Sequence, residues 1–445
     1  MQQGEKPYKD IFKVSYPAFC ELVLLTFTNM INMMMIGRLS SMSISAVGYS
    51  TLPYSLLISI LSAVNTGTTT LVSWKTGAKD QKGAKDILGE AIILNFFLGI
   101  ILAFLGVTLA PAVVTFMGAA RENFSDAKIY FQVISSSIVF QSITMAITAA
   151  LRGAGETFIP FVYNIIRGVL NVIFNFFLIY GHFNFPALGV LGAGISSLAA
   201  TFVAFLISLY VVFLSNKTVL KISRQNFKVT KEDVRKILKI GIPSALEQIV
   251  MQGGNMLYYK MVASLGAYIY AAHQIGMSIG SLSVSTSTAF GIAGTALVGK
   301  SLGKHDFEGA KKYAKSTILF SNIVSVFVAV FFIVFSYPLA LLYTDNTYVA
   351  KNAQLTLILL ALSQPGQSTQ LSLSGILRGA GDSAYPLYAT FFGIWVFRVA
   401  VAYLFIFKSG FGLAGAWVAL LLDQYLRAAI VHLRFRFGPW MKKYN

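Results

Sequence analysis

The chain has 445 residues, 56% of them hydrophobic and only 12% charged, with 35 Lys and Arg against 17 Asp and Glu and a formal net charge of +18. A water-soluble domain carries about twice that charged fraction, so this chain lacks the polar surface to be one, and its solvent is lipid. The excess charge does not make it a nucleic-acid binder, a reading that needs basic residues gathered on one face of a soluble fold.

Apolar runs of roughly 20 or more residues recur from end to end, each long enough at 1.5 Å per residue to cross about 30 Å of hydrocarbon. They predict an all-α integral membrane protein of twelve transmembrane helices. In chain order these fall at about 12–36, 46–73, 88–116, 128–150, 158–180 and 189–215, then 240–264, 271–298, 316–341, 352–376, 384–407 and 412–434. The first run follows a short charged segment, but it exceeds a signal-peptide h-region and has no small-residue cleavage site, so it reads as the first membrane helix.

Lys and Arg alternate between the connections. One side holds 26: Lys6, Lys9 and Lys13, the 75–85 loop, Arg152, the 217–239 segment, the 300–315 loop, Arg378 and the tail from Arg434. The other side holds five, Arg38, Arg121, Lys128, Lys351 and Lys408. The positive-inside rule then puts both termini in the cytoplasm of a multi-pass plasma-membrane protein. One cysteine, Cys20, leaves no intramolecular disulfide, and His182, His273, His305 and His432 show no metal-ligand spacing, so no cofactor or metal is expected.

The two halves match at a constant shift of 226 residues. Lys13, Pro17 and Glu21 recur as Lys239, Pro243 and Glu247, and Gly77, Asp80, Gly83, Ala84 and Lys85 recur as Gly303, Asp306, Gly309, Ala310 and Lys311. Leu151-Arg152-Gly153-Ala154-Gly155 recurs as Leu377-Arg378-Gly379-Ala380-Gly381. Domains are therefore expected at 1–215 and 240–445, two six-helix bundles of like orientation, joined by a basic cytoplasmic linker at 216–239. Rocking one bundle against the other would open a cleft to alternate sides.

Gly294 to Ser301 fits the phosphate-loop pattern GxxxxGK[ST]. The pattern needs a strand-to-helix turn in a water-filled α/β domain, whereas this segment lies in an apolar span, so no nucleotide is expected to bind. Nor does any nucleophile, metal cluster or acid/base constellation point to an enzyme.

Glu21 and Glu247 each lie eight positions beyond a lysine at the cytoplasmic margin, about 12 Å deep at helical rise. An ionised carboxylate in hydrocarbon costs about 2.5 to 3.5 kcal/mol or more. Both should face the interior, either as ion-coupling groups that take up and release a proton or sodium ion, or as acids bonded to a neighbouring helix. On helix 7, Gln248, Gln252, Asn255 and Tyr259 form a polar stripe beside Glu247, and on helix 1 Glu21, Thr28 and Asn32 share a face. Gln141 and Gln367, 226 apart, are matching candidates on helices 4 and 10. Such faces should line a cavity or a helix contact. Arg398 and Asp423 could pair between helices, Asp423 and Arg427 could neutralise each other at i, i+4, and Lys260 can snorkel. Aromatic walls, from 36 Phe and 21 Tyr, would suit lipophilic cations.

Taken together, the chain resembles the multidrug and toxic compound extrusion (MATE) family over essentially its whole length. The resemblance rests on the twin Leu-Arg-Gly-Ala-Gly segments, Met35-Ile36-Gly37-Arg38, Gly241-Ile242-Pro243 and Asn175-Phe-Phe-Leu-Ile-Tyr180-Gly181. It implies a V-shaped twelve-helix fold, and Asn175 is a further candidate cavity residue. It also implies antiport of small organic, often cationic, compounds against protons or sodium ions, by a monomer in the bacterial inner membrane among its lipids. Glu247 would hold the family's helix-7 acidic position. Two departures stand out: many bacterial members carry an aspartate where this chain has Asn32, and some carry an acid where it has Gln367. Coupling would then rest on Glu247 with Glu21. A lipid-linked-precursor flippase of the same superfamily is the alternative, and it would need several interior arginines.

Overall fold

A computed structural model describes residues 7–119, 121–182 and 185–443; Lys6, counted above with the basic residues, lies outside them. The described chain is helical: α1 Pro7–Gly37, α2 Ser41–Gly77, α3 Gln81–Thr108, α4 Ala110–Phe116, α5 Phe124–Ser136, α6 Ile138–Gly153, α7 Phe158–Tyr180 and α8 Gly189–Phe213. These are followed by α9 Lys231–Ala263, α10 Ala267–Gly303, α11 Phe307–Leu341, α12 Thr347–Gly379, α13 Ala384–Lys408 and α14 Gly412–Phe437.

Nine described helices are long and apolar enough to cross a membrane, and α5 with α6, bent by 42°, make a tenth. The remaining two expected spans are α9 and α12, at 33 residues each. Both are long enough at helical rise but richer in polar residues, and these are the helices that carry Glu247 and the buried Gln364, Gln367 and Gln370.

Two spans depart from the straight elements expected. The run at 88–116 breaks at Leu109, because Pro111 falls in the first turn of α4 and cannot donate to a continuing ladder. The run at 128–150 bends at Ser137, whose hydroxyl donates to the Ile134 carbonyl at 2.6 Å and competes with the helix for it. The segment 294–301 is uninterrupted helix inside α10, so no phosphate-cradling loop exists there.

The chain forms two compact units, one of Cys20–Ala245 and one of the described residues up to Phe19 together with those from Leu246 onward. The divisions fall inside α1 and α9 instead of in the 216–239 segment. Close backbone approach is the reason. A Cβ on Gly241 would run into the Ala63 carbonyl, and one on Gly67 into the Ile237 carbonyl, so the start of α9 lies directly against α2. Ile237 and Ile240 join the apolar core of that unit. The start of α1 belongs with the other unit, where Val14 packs on Ala293 and Ala296 and Tyr313 donates to Asp10 at 2.6 Å.

The 216–239 segment is packed, not free. Leu220 and Ile222 are core residues, Asn226 donates to Asp86 at 2.7 Å, and the Thr230 amide donates to Glu90 at 2.7 Å. Glu156 accepts from Thr218 at 2.5 Å and from the Val219 amide at 3.0 Å.

The repeat is carried into local geometry. Asp80 and Asp306 cap α3 and α11, each accepting from a glycine amide (Gly83, Gly309) at 2.8 Å. Just before them Lys79 and His305 adopt left-handed φ of 60° and 58°. Thr69 donates to the Ala149 carbonyl at 2.9 Å, and Thr295 to that of Gly375 at 2.8 Å.

Candidate functional site

Glu21 and Glu247 are 2% and 4% exposed, and each holds an arginine. Glu21 Oε1 accepts from Arg152 Nη2 at 2.8 Å and Asn164 Nδ2 at 2.7 Å. Glu247 Oε2 accepts from Arg378 Nη2 at 2.6 Å, and its Oε1 from Thr390 Oγ1 at 3.1 Å. Both arginines stand in the last turn of a helix, α6 and α12, where the helix dipole also favours a cation. Their side chains are 21% and 23% exposed. Sequence reasoning assigned these arginines to the cytoplasmic connections and missed the pairing. The available signal was the separation of 131 residues between Glu and Arg, identical in both halves.

Further along α1 the unit of Cys20–Ala245 forms an open cavity of about 490 Å³. Thr28 and Asn32 line it, as their shared helix face requires, but Glu21 does not. Asn32 Nδ2 donates to Asn171 Oδ1 at 2.5 Å, Asn175 Nδ2 to Asn32 Oδ1 at 2.7 Å, and Asn171 Nδ2 to Ser197 Oγ at 3.2 Å. Gln141, also in the wall, accepts from Arg167 Nη1 at 2.7 Å. Gly168 brings α7 against α1, since a Cβ there would sit 2.8 Å from Thr28 Oγ1. Tyr54 and Tyr130 complete a mostly apolar wall. Among the described lining residues the one charge is the cation of Arg167, and no acid is present. Asn171, Ser197 and the two tyrosines were not singled out from sequence; an asparagine one turn before Asn175 on the same helix was the usable hint.

In the other unit the pairing of Arg398 with Asp423 is realised. Arg398 Nε donates to Asp423 Oδ2 at 2.9 Å, with Nη2 on the same oxygen, while Nη1 donates to Asn255 Oδ1 at 2.7 Å. Arg427 Nε lies 2.9 Å from Asp423 Oδ1, so one buried acid sits between two buried guanidiniums. Arg398 occupies a stretch of π-helix, Phe392–Ala400, a widened turn that often marks a functional position. The Tyr259 ring meets that of His273 edge to face, with centroids 5.4 Å apart. Gln252 is partly buried on α9, Lys260 is exposed as expected, and Gln367 is 3% exposed with no acceptor for its Nε2 among the described residues. The predicted residues thus form separate groups: the two Glu–Arg pairs, the amide-lined cavity, and the Arg398–Asp423–Arg427–Asn255 cluster.

Comparison with known proteins adds a second line. The sequence profile of the MatE family matches residues 17–177 and again 243–404, with starts separated by the same 226 positions as the internal repeat. A Bacillus subtilis relative, "Uncharacterized transporter YisQ", is 29% identical over 97% of this chain and 95% of its own length. "Probable multidrug resistance protein NorM" of Thermotoga maritima is 29% identical over 98% of this chain and 93% of the relative. Among solved structures, an outward-facing multidrug resistance MATE family transporter of the MOP superfamily superposes with a TM-score of 0.92 at 22% identity, covering 98% of this chain and 97% of that one.

Proposed function

The chain belongs to the MatE family of multi-pass membrane transporters, and from that premise we propose that it is a secondary active exporter of small organic compounds, working by alternating access. The observation that carries this reading is the 490 Å³ cavity at the level of the spans, walled by apolar side chains with a few convergent amides and one cation. Such a volume and lining suit a small organic ligand. The multidrug resistance relatives support the same substrate scale. The protein sits in a bacterial plasma membrane with both termini cytoplasmic, the orientation its basic connections favour.

Transport is driven by a proton or sodium gradient. The coupling groups are Glu247 and Glu21, and the ion acts by exchange: it takes the carboxylate from Arg378 or Arg152 and frees the guanidinium. Each carboxylate lies 2.6 to 2.8 Å from its arginine, so an incoming ion must displace that guanidinium to reach it.

The test is uptake and release of fluorescent solutes by proteoliposomes under an imposed proton or sodium gradient, wild type against Glu247→Gln. Gradient-driven export that the variant loses supports the coupling. Equal rates in both proteins under both gradients would remove Glu247 from it.

A further inference from the structure

Arg167 has no carboxylate beside it among the described residues of the cavity wall. Its guanidinium opens on the cavity, donates to Gln141 Oε1, and meets no carboxylate at ion-pair distance among the described residues. Glu21, the deep acid of the same unit, is already engaged by Arg152. The unit's other buried acid, Glu90, accepts from the Thr230 amide and is not part of the cavity wall, so the wall's one charge among its lining residues is positive.

The repeat shows why. A shift of 226 carries Arg167 onto Gly393 and Ser197 onto Asp423. In the C-terminal half a Cβ on Gly393 would strike the Arg427 side chain and Asp423, so Arg427 fills the space beside that backbone and Asp423 neutralises it at 2.9 Å. In the N-terminal half the acid's position is Ser197, whose hydroxyl lines the cavity and accepts from Asn171. The half with the open cavity therefore keeps a guanidinium and lacks the acid that balances its counterpart.

We propose that the cavity of the N-terminal unit binds the oxyanion of a small organic acid, a carboxylate or phosphate, with Arg167 as its counter-ion. A guanidinium already bonded through one nitrogen to Gln141 still offers other donors, and paired N–H groups match the planar fork of an oxyanion. The amides of Asn32 and Asn171 and the hydroxyl of Tyr54 surround the head group, while Leu25, Val47 and Ile58 receive the apolar body. In this low-dielectric wall a like-charged ligand is repelled, so an organic cation is the disfavoured occupant. The proposal rests on the export reading and narrows its small organic compounds to anions for this cavity, in place of the often cationic class the resemblance implies.

Equilibrium dialysis of the purified full-length protein against two radiolabelled probes of one shape and opposite charge, 1-naphthoate and 1-naphthylmethylammonium, tests it. Wild type should prefer naphthoate by roughly ten-fold or more. Arg167→Gln should abolish the preference and Arg167→Lys should retain part of it. Ser197→Asp, which places an acid where the other half has Asp423, should collapse or invert it even if Arg167→Gln fails to fold. Equal or tighter binding of the ammonium by wild type, or a naphthoate affinity unchanged by Ser197→Asp, overturns the proposal. Displacement of naphthoate by dihexanoyl phosphatidate at lower concentration than by benzoate assigns the site to a lipid head group; the reverse order assigns it to a soluble acid. Proteoliposomes that export naphthylmethylammonium while the protein fails to bind naphthoate would sink this proposal alone. Anion binding without any gradient-driven transport would sink only the export reading.

Discussion

Asn164 and Thr390, 226 positions apart, perform one task with different chemistry: each donates to the buried glutamate of its own half, at 2.7 Å to Glu21 and 3.1 Å to Glu247. The acid, its arginine and this helper form one unit used twice. Removing one member strands the others in a medium that cannot solvate them.

Glu21→Gln and Glu247→Gln should each destabilise the protein by about 2 kcal/mol. A broken buried ion pair costs roughly 3–5 kcal/mol, and the partial exposure of the arginines reduces that. Thermal unfolding in detergent checks it. The double variant Glu247→Gln with Arg378→Gln should lose less than the two singles summed, because it leaves no uncompensated charge; additive losses would mean the pair is not coupled.

The α2–α9 contact depends on absent side chains. Gly241→Val should lower stability by at least about 2 kcal/mol, since its Cβ meets the backbone carbonyl of Ala63, which cannot yield without parting the helices. Gly48→Ala, with nothing within 4 Å of the added carbon, should be neutral or gain up to about 1 kcal/mol from helix propensity. Melting temperatures of the two variants in one detergent would compare them directly.

Lys79 at the α2–α3 turn and its counterpart His305 at the α10–α11 turn carry left-handed backbone that glycine adopts freely. Lys79→Gly and His305→Gly should each stabilise by about 1 kcal/mol. A loss of stability in both would show that their side chains matter more than their φ angles.

The Asp80 carboxyl is held below the usual carboxylate range, first by its hydrogen bond from Lys75 and then by the Gly83 amide. A depressed folded-state value adds stability above the unfolded carboxylate range, and that stability is lost as pH falls through the folded one. Asp80→Asn keeps a capping oxygen and removes the charge. It should flatten the acid side of the stability–pH curve while leaving the alkaline side in place, as read by melting temperature in buffers spanning the acid range.

A mutation in the cavity tests its amide ladder. Asn32→Leu would leave Asn171 Oδ1 and Asn175 Nδ2 without the partners Asn32 supplies, at a cost of about 1–3 kcal/mol for an unsatisfied buried group. Asn32→Asp would instead set an acid into a cavity whose lining charge is a cation, and should weaken naphthoate binding without a comparable loss of stability. Dialysis and melting on the same preparations separate the two effects.

Much of the architecture is legible in the amino-acid order, because it follows from properties that need no partner. Apolar length sets the spans, the 226-residue shift sets two related halves, and the spacing of Thr28 and Asn32 puts both on one face, where the cavity lies. The bends at Leu109 and Ser137 were hidden, since a proline or serine in a helical run breaks it only when neighbouring packing allows the carbonyls another partner. The packed course of the 216–239 segment was hidden as well, because its scattered apolar residues gain their meaning only against α3 and α8.

What the sequence by itself determined is therefore a lipid-embedded, duplicated helical protein with acids and amides turned inward. Only the tertiary structure decided which charge meets which: that Arg152 and Arg378 answer the glutamates, that Asp423 lies between two guanidiniums, and that Arg167 is left facing a cavity without an acid. The physical reason is that helical periodicity fixes the face of a residue on its own helix. The partner of a buried charge depends on how distant helices are rotated and spaced against one another, and that is set by the packing of glycines such as Gly168 and Gly393, not by any local pattern.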